Sequence, residues 1–257
     1  RQLSAYRNRE CKKLTTVNLG ANVTTFIGQA FYHCPAFTTL NWGPKVEKVG
    51  RRNFEGCDAL TTITFPDTVT TFGEYMFAYC DNLTSVTLSK NLTDLPQAVF
   101  TDCPKLENIV IPDSVQGIGK MCFDGCTALQ SVVIGDGVKT IGMDAFLDCR
   151  NLTTVTMNDS VEQIEEYAFK YCEKLQSIVI PDTTTIIEQQ AFEGCKSLTS
   201  VTIGKNVWIG AGTIILMGSV IEDNCIVAAG SIVKGIIPEG SVFMQKREKC
   251  LREGKTS

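Results

Sequence analysis

Nine of the twelve cysteines stand 23 residues apart, in the series Cys11, Cys34, Cys57, Cys80, Cys103, Cys126, Cys149, Cys172 and Cys195. A thiol can bridge to another, bind a metal or attack as a thiolate, and each of these needs its own neighbourhood. Turns stacked about 4.8 Å apart would place such cysteines in single file, within the Cα separation a disulfide allows. Yet every member keeps the same orientation, the file is odd in number, and reduced cysteine packs as a small hydrophobe. The expectation is a column of buried, reduced thiols. Cys122 beside Cys126 fills a position that other repeats give to Ala or Met, and no zinc-like cysteine pair occurs. No metal and no cofactor are expected.

The other chemistry-bearing residues are sparse. The single histidine, His33, lies between Phe31 and Cys34 and reads as a surface turn residue. No Gly-x-Ser-x-Gly elbow or phosphate loop is present, and Asp and Glu are scattered over turns, where solvation is their usual role. The chain is therefore expected not to be an enzyme.

What positions these residues is a repeat. Phe31, Phe54, Phe77, Phe100, Phe123, Phe146, Phe169 and Phe192 recur every 23 residues, each three before a ladder cysteine. A fixed period of this size marks stacked units sharing one core. In the unit Phe54 to Gly73, Ile63 and Phe65 alternate with Thr62 and Thr64, the period of two that sends one pair inward and the other outward on a strand. Pro66 ends that strand, a second short extended stretch runs from Val69 to Phe72, and Glu74 to Tyr79 suits a helical or 3₁₀ turn.

Segments such as Ile141-Gly142-Met143-Asp144-Ala145-Phe146-Leu147-Asp148-Cys149-Arg150-Asn151-Leu152 resemble the BspA-like class of leucine-rich repeats, found on bacterial and protist surface proteins. The resemblance spans about residues 3 to 203. It departs from the general leucine-rich pattern, because here the Cys precedes the strand and Pro or Gly follows it. At the start, Asn8 replaces Phe among Arg7, Arg9, Lys12 and Lys13, which a polar cap and a truncated end explain equally well.

Beyond Ile203 the step changes to six: Ile203, Ile209, Ile215, Ile221, Val227 and Val233. Val207-Trp208-Ile209-Gly210-Ala211-Gly212, and later Ile237-Pro238-Glu239-Gly240-Ser241-Val242, resemble the hexapeptide repeats of left-handed β-helix acyltransferases. The resemblance implies inward Ile and Val, 18 residues per coil and about two coils. It also implies acyl transfer by a histidine general base, but residues 203–257 contain no histidine. The segment is expected to serve as a structural cap.

The expected fold is a mainly β repeat solenoid: about nine 23-residue coils over residues 1–202, continued by about two left-handed β-helix coils and a basic C-terminal tail over residues 203–257. Ile203 belongs to both registers, so the two solenoids are expected to share one core.

Composition narrows the partners. A net charge of −4, from 24 basic and 28 acidic residues, gives no electrostatic case for nucleic acid. No apolar run reaches the roughly 18 residues of a membrane helix, so no membrane insertion is expected. The chain opens on Arg1 without a signal-peptide pattern, and the expected setting is extracellular or on the cell surface with any leader removed.

Functional expectation falls on the outward strand positions, which form two rows. One runs through Thr16, Thr39, Thr62, Ser85, Asn108, Ser131, Thr154, Ser177 and Ser200, and the other through Asn18, Asn41, Thr64, Thr87, Val110, Val133, Thr156, Val179 and Thr202. Thr and Ser are good exposed strand residues in any case, but short rigid hydroxyls also bind a broad ligand at little entropic cost. Thr62, Thr64, Ser85, Thr87, Asn108, Ser131, Thr154, Thr156, Ser177 and Thr202 are the candidate ligand-binding residues, for a protein or glycan partner; any self-association is expected at the solenoid ends. An ice-binding reading is disfavoured because Val110, Val133 and Val179 interrupt the threonines. The glycosylation triplets at Asn22, Asn82, Asn91, Asn151 and Asn158 arise largely from the repeat's own Asn-Leu-Thr spelling.

Overall fold

Each 23-residue unit closes one coil of a β-solenoid. The computed structural model describes residues 2–3, 10–198, 200–203, 207–210, 214–215, 220–221, 224–228, 230–233 and 235–244. The sequence-expected caps around Asn8 and along residues 245–257 fall outside them. The first strand of a coil, such as Thr62–Thr64 or Asn108–Ile111, alternates exposed and buried side chains as its period of two requires. The second strand is shorter, as in Thr71–Phe72 and Thr140–Ile141. Both kinds pair in parallel with their counterparts 23 residues on: Thr62 faces Ser85, Asn108 faces Ser131, and Gly117 faces Thr140.

The stretch after the second strand is not the helical turn expected from Glu74 to Tyr79. Tyr75 and Tyr79 have φ of 55° and 61°, and the same two positions are left-handed in every coil from Gln29 and His33 to Gln190 and Gly194. A residue at positive φ cannot continue a right-handed helix. The reason lies between coils. Backbone N–H groups of Tyr75, Phe77 and Tyr79 donate to the carbonyls of Gln97, Val99 and Thr101 at 3.0, 2.8 and 2.9 Å. Long-range bonds take the donors that a helix would have used.

Two columns fill the core beside this turn. The phenylalanine rings stack face to face, with Phe77–Phe100 centroids 5.4 Å apart at 2° and Phe123–Phe146 5.0 Å apart at 3°. The cysteines do more than pack. Cys57, Cys80, Cys103, Cys126, Cys149, Cys172 and Cys195 each donate the thiol to the carbonyl of the phenylalanine in the preceding coil, at 3.1 to 3.3 Å. The Phe123 carbonyl thus accepts the Cys126 N–H at 3.1 Å and the Cys149 thiol at 3.2 Å, using both lone pairs in a dry interior. Burial drives the Cys80, Cys126 and Cys149 thiols far above their ordinary pKa, so they stay protonated donors rather than nucleophiles.

The handover to the hexapeptides happens through a reversal. Ser200–Ile203 pairs in parallel with Ser177–Ile180 but antiparallel with Val207–Gly210, which then pairs in parallel with Ile226–Val227. These strands, closed by Val242–Phe243, make one continuous five-stranded sheet. The stack advances in one direction while the chain reverses its travel around the axis, so coils on the two sides have opposite hand. The expected 18-residue coil is seen where Trp208 faces Ile226 and Ile214 faces Ile232. From the next strand on the offset is 16, Val220 facing Ile236 and Ile226 facing Val242. The step between Val233 and Ile237 is two residues short of six, and both side chains are nonetheless buried.

Candidate binding face

The outward rows assemble on one side of the solenoid. Thr62–Thr64, Ser85–Thr87, Asn108–Ile111, Ser131–Ile134 and Thr154–Thr156 are neighbours in a single sheet, which brings together Thr62, Thr64, Ser85, Thr87, Asn108, Ser131, Thr154 and Thr156. Ser177 and Thr202 belong to the next sheet, where Ser177 faces Ser200 and Thr202 faces Val179. The two sheets adjoin without a ladder between Thr154–Thr156 and Ser177–Ile180, so the face is interrupted once within the candidate residues.

Their hydroxyls differ in availability. Thr62, Thr64, Ser85 and Thr87 are exposed, and their side chains make no hydrogen bond among the described residues. The neighbouring column is different: Thr84 and Thr153 donate to the backbone carbonyls of Thr61 and Gln130, each at 3.0 Å. Ser131, half-buried, donates to Asn108 at 2.6 Å, and Asn41 donates to Asn18 at 2.6 Å. Thus open hydroxyls stand together on the strands of Thr62 and Ser85, and again at Thr156 and Ser177.

A second interruption went unread in the sequence. Between Thr39–Asn41 and Thr62–Thr64 the ladder is missing, and Trp42 donates its indole N–H to the Thr64 carbonyl at 2.8 Å while packing 4.9 Å from Phe65. A Trp where other repeats carry Leu, Ile, Phe or Met was the available signal. The second outward row also changes character along the stack, for Val110 and Val179 are 63% and 64% exposed.

The remaining chemistry lies on the turn edge. His33 is exposed, left-handed at φ 50°, edge-on to Tyr32 at 4.3 Å, and its ring covers Gly56, where an added Cβ would come within 2.8 Å. It borders an open groove of about 410 Å³ with Glu10, Lys12 and Asp58. Further along, burial and the nearby carboxylates of Asp102, Asp144 and Asp148 raise Asp124 to about 6. Among the described residues no group of three His, Cys, Asp or Glu could hold a metal ion, and no helix is long and apolar enough to cross a membrane.

Parallel stacking, a repeated hydrophobic register and an uninterrupted core define a leucine-rich repeat solenoid. Residues 2–130 and 95–212 match the model of the BspA type leucine rich repeat region, in six copies. The chain belongs to that family. Residues 200–235 match the bacterial transferase hexapeptide (six repeats). Among solved structures, a leucine rich repeat protein of T. pallidum is 25% identical with a TM-score of 0.53, over 72% of this chain and 78% of that one. A leucine rich cell surface protein of Faecalibacterium prausnitzii is 23% identical with a TM-score of 0.48, over 91% and 76%. The Saccharomyces cerevisiae protein named "Putative acetyltransferase YJL218W" is 46% identical over 52 residues, 20% of this chain and 26% of that protein. The chain therefore spans about a quarter of the length of the curated relatives it matches.

Proposed function

We propose that the protein is a non-enzymatic binding or adhesion module, acting at the cell surface or outside the cell, whose protein or glycan ligand engages the hydroxyl rows. The observation that carries this reading is the group of exposed hydroxyls at Thr62, Thr64, Ser85 and Thr87, which spend no hydrogen bond within the described fold. Hydroxyls on a rigid sheet are already ordered, so binding costs little further entropy. Family membership supports the same reading. The test is a glycan array and a protein pull-down with the wild type and with Thr62→Asp, Thr64→Asp, Ser85→Asp and Thr87→Asp combined. Binding abolished by the charges supports the face; binding events left unchanged refute it.

The match at residues 200–235 favours one other reading, a catalytically inactive or partial acyltransferase relative that keeps acyl-carrier binding or trimerises through its hexapeptides. Against catalysis stands the histidine count, since His33 is the only one and lies near the opposite end of the stack. Calorimetry with coenzyme A separates the two readings: heat of binding would favour the second, and none would leave the hexapeptides as a structural cap.

A further inference from the structure

The cysteine file is closed along its length and opens at its ends. Cys34 through Cys172 are buried, whereas Cys195, the last member, is half-buried, as is Cys11, the first. At the last two rungs the thiols of Cys172 and Cys195 are in hydrogen-bonding contact with each other. The coils that carry them are related by an almost pure translation, for Phe169 and Phe192 stack 5.4 Å apart at 1°. Cysteines three residues further on inherit that step. It lies inside the roughly 4.4 to 6.8 Å of Cα separation that a disulfide spans.

We propose that Cys195 and Cys172 form an oxidative modification site whose substrate is a small-molecule disulfide of the oxidised glutathione type. The half-buried Cys195 thiol loses its proton to water, and its thiolate attacks one sulfur of the substrate. A mixed disulfide forms, and the first glutathione leaves as a thiolate that takes a proton from water. Cys172 then attacks the Cys195 sulfur, and its proton goes to the second glutathione as that leaves. Two protein thiols and one small disulfide thereby become one protein disulfide and two small thiols.

The fold tolerates this exchange. Bridging removes the thiol donors that reach the Phe146 and Phe169 carbonyls at 3.3 and 3.1 Å. Both carbonyls keep a backbone donor, the N–H of Cys149 at 3.3 Å and that of Cys172 at 3.2 Å, so no buried acceptor is orphaned. Contact between thiols is not enough by itself. Cys80 and Cys103 touch in the same way, but both are fully buried, and an incoming disulfide cannot reach them. Cys11 and Cys34 also touch, but Asn8 stands where the phenylalanine column would continue, so no stacked pair of rings fixes their separation. The bridge would fasten the last 23-residue coil to the one before it, beside the strand Ser200–Ile203 at which the chain reverses. The inference stands on the ladder and is independent of the ligand face.

Timed oxidation of the folded full chain tests it. The protein, with Cys250→Ser to remove the one cysteine outside the described residues, is incubated with oxidised glutathione, quenched in acid, alkylated and mapped by mass spectrometry. A glutathione adduct at Cys195 should appear first, and a linked Cys172–Cys195 peptide should follow. Cys57, Cys80, Cys103, Cys126 and Cys149 should react at least about tenfold more slowly, as burial requires. Cys172→Ala should hold the reaction at the Cys195 adduct, and Cys195→Ser should leave Cys172 reduced. If Cys172→Ala loses its fold, the order of adduct and linked peptide in the parent protein decides the matter. An unreacted Cys195, or an adduct that persists while Cys172 stays free, overturns the proposal. So does oxidation of Cys80 and Cys103 at the rate of the end pair, because exposure would then not govern the site.

Discussion

At the scale of single residues, the cysteine ladder shows why a side chain with one weak donor and little polarity recurs at that site. The position must fill apolar space and also satisfy a phenylalanine carbonyl one coil away. Cys149→Ala should lose the bond to Phe123 and leave a small void, at about 1 to 3 kcal/mol in urea unfolding. Cys149→Ser, which keeps a donor but buries a more polar one, should cost a comparable amount without the void. The Asp124 carboxyl acts in the opposite sense to a paired carboxylate. Its pKa in the fold, about 6, lies above the ordinary 3.8, because burial and then Asp102, Asp144 and Asp148 disfavour the charge. Between those values the folded chain binds more protons than the unfolded one, so stability falls as pH rises. The contribution is fully present below about pH 4 and is lost as pH passes through about 6. Asp124→Asn should flatten that slope and raise the thermal midpoint at pH 7 relative to wild type. Midpoints measured from pH 4 to 8 check it, and parallel curves for the two proteins would contradict the assignment.

Among the elements, close approach of successive coils sets what each position tolerates. A Cβ on Gly142 would stand 2.7 Å from the Ile118 carbonyl oxygen and 2.9 Å from the Gly119 backbone, so the coils must part to admit it. Gly142→Ala should destabilise by about 1 to 3 kcal/mol through overpacking, although alanine suits ordinary backbone angles better than glycine. A gain in urea midpoint would show that the coils yield more easily than this. Where the same residue type recurs every 23 positions, as for Phe100, Cys126, Leu129 and Ile134, the core was readable in advance, since a period in sequence becomes a column in space. The turns were not. Tyr75 and Tyr79 are left-handed because their N–H groups bond to the next coil, and nothing local to Glu74 through Tyr79 announces that partner. The same limit hid the reversal between Ile203 and Val207, because an apolar residue every six positions reads alike in either direction of travel. On the face, the rows were legible as alternation. Their division into available and engaged hydroxyls required the partners of Thr84 and Ser131.

For the molecule as a whole, the stack is a linear array in which each coil touches only the coils before and after it, so its stability is a sum of units and interfaces. A fault in the middle therefore need not spread to the ends. Phe123 stacks on Phe100 at 5.2 Å and on Phe146 at 5.0 Å, and its ring is fully buried. Phe123→Ala should cost about 3 to 5 kcal/mol locally, by removing the ring from both neighbours and leaving a cavity that a repeated backbone cannot close. Native-state hydrogen exchange can tell where that cost falls. The amides of Phe100, Phe123 and Phe146, which bond to the next coil, should lose protection together. Those of Phe31 and Gln29, four coils away, should keep theirs. Faster exchange at every one of these sites would instead mean that the solenoid opens as one cooperative body, and that the aromatic column couples the two ends of the face as strongly as it couples adjacent coils.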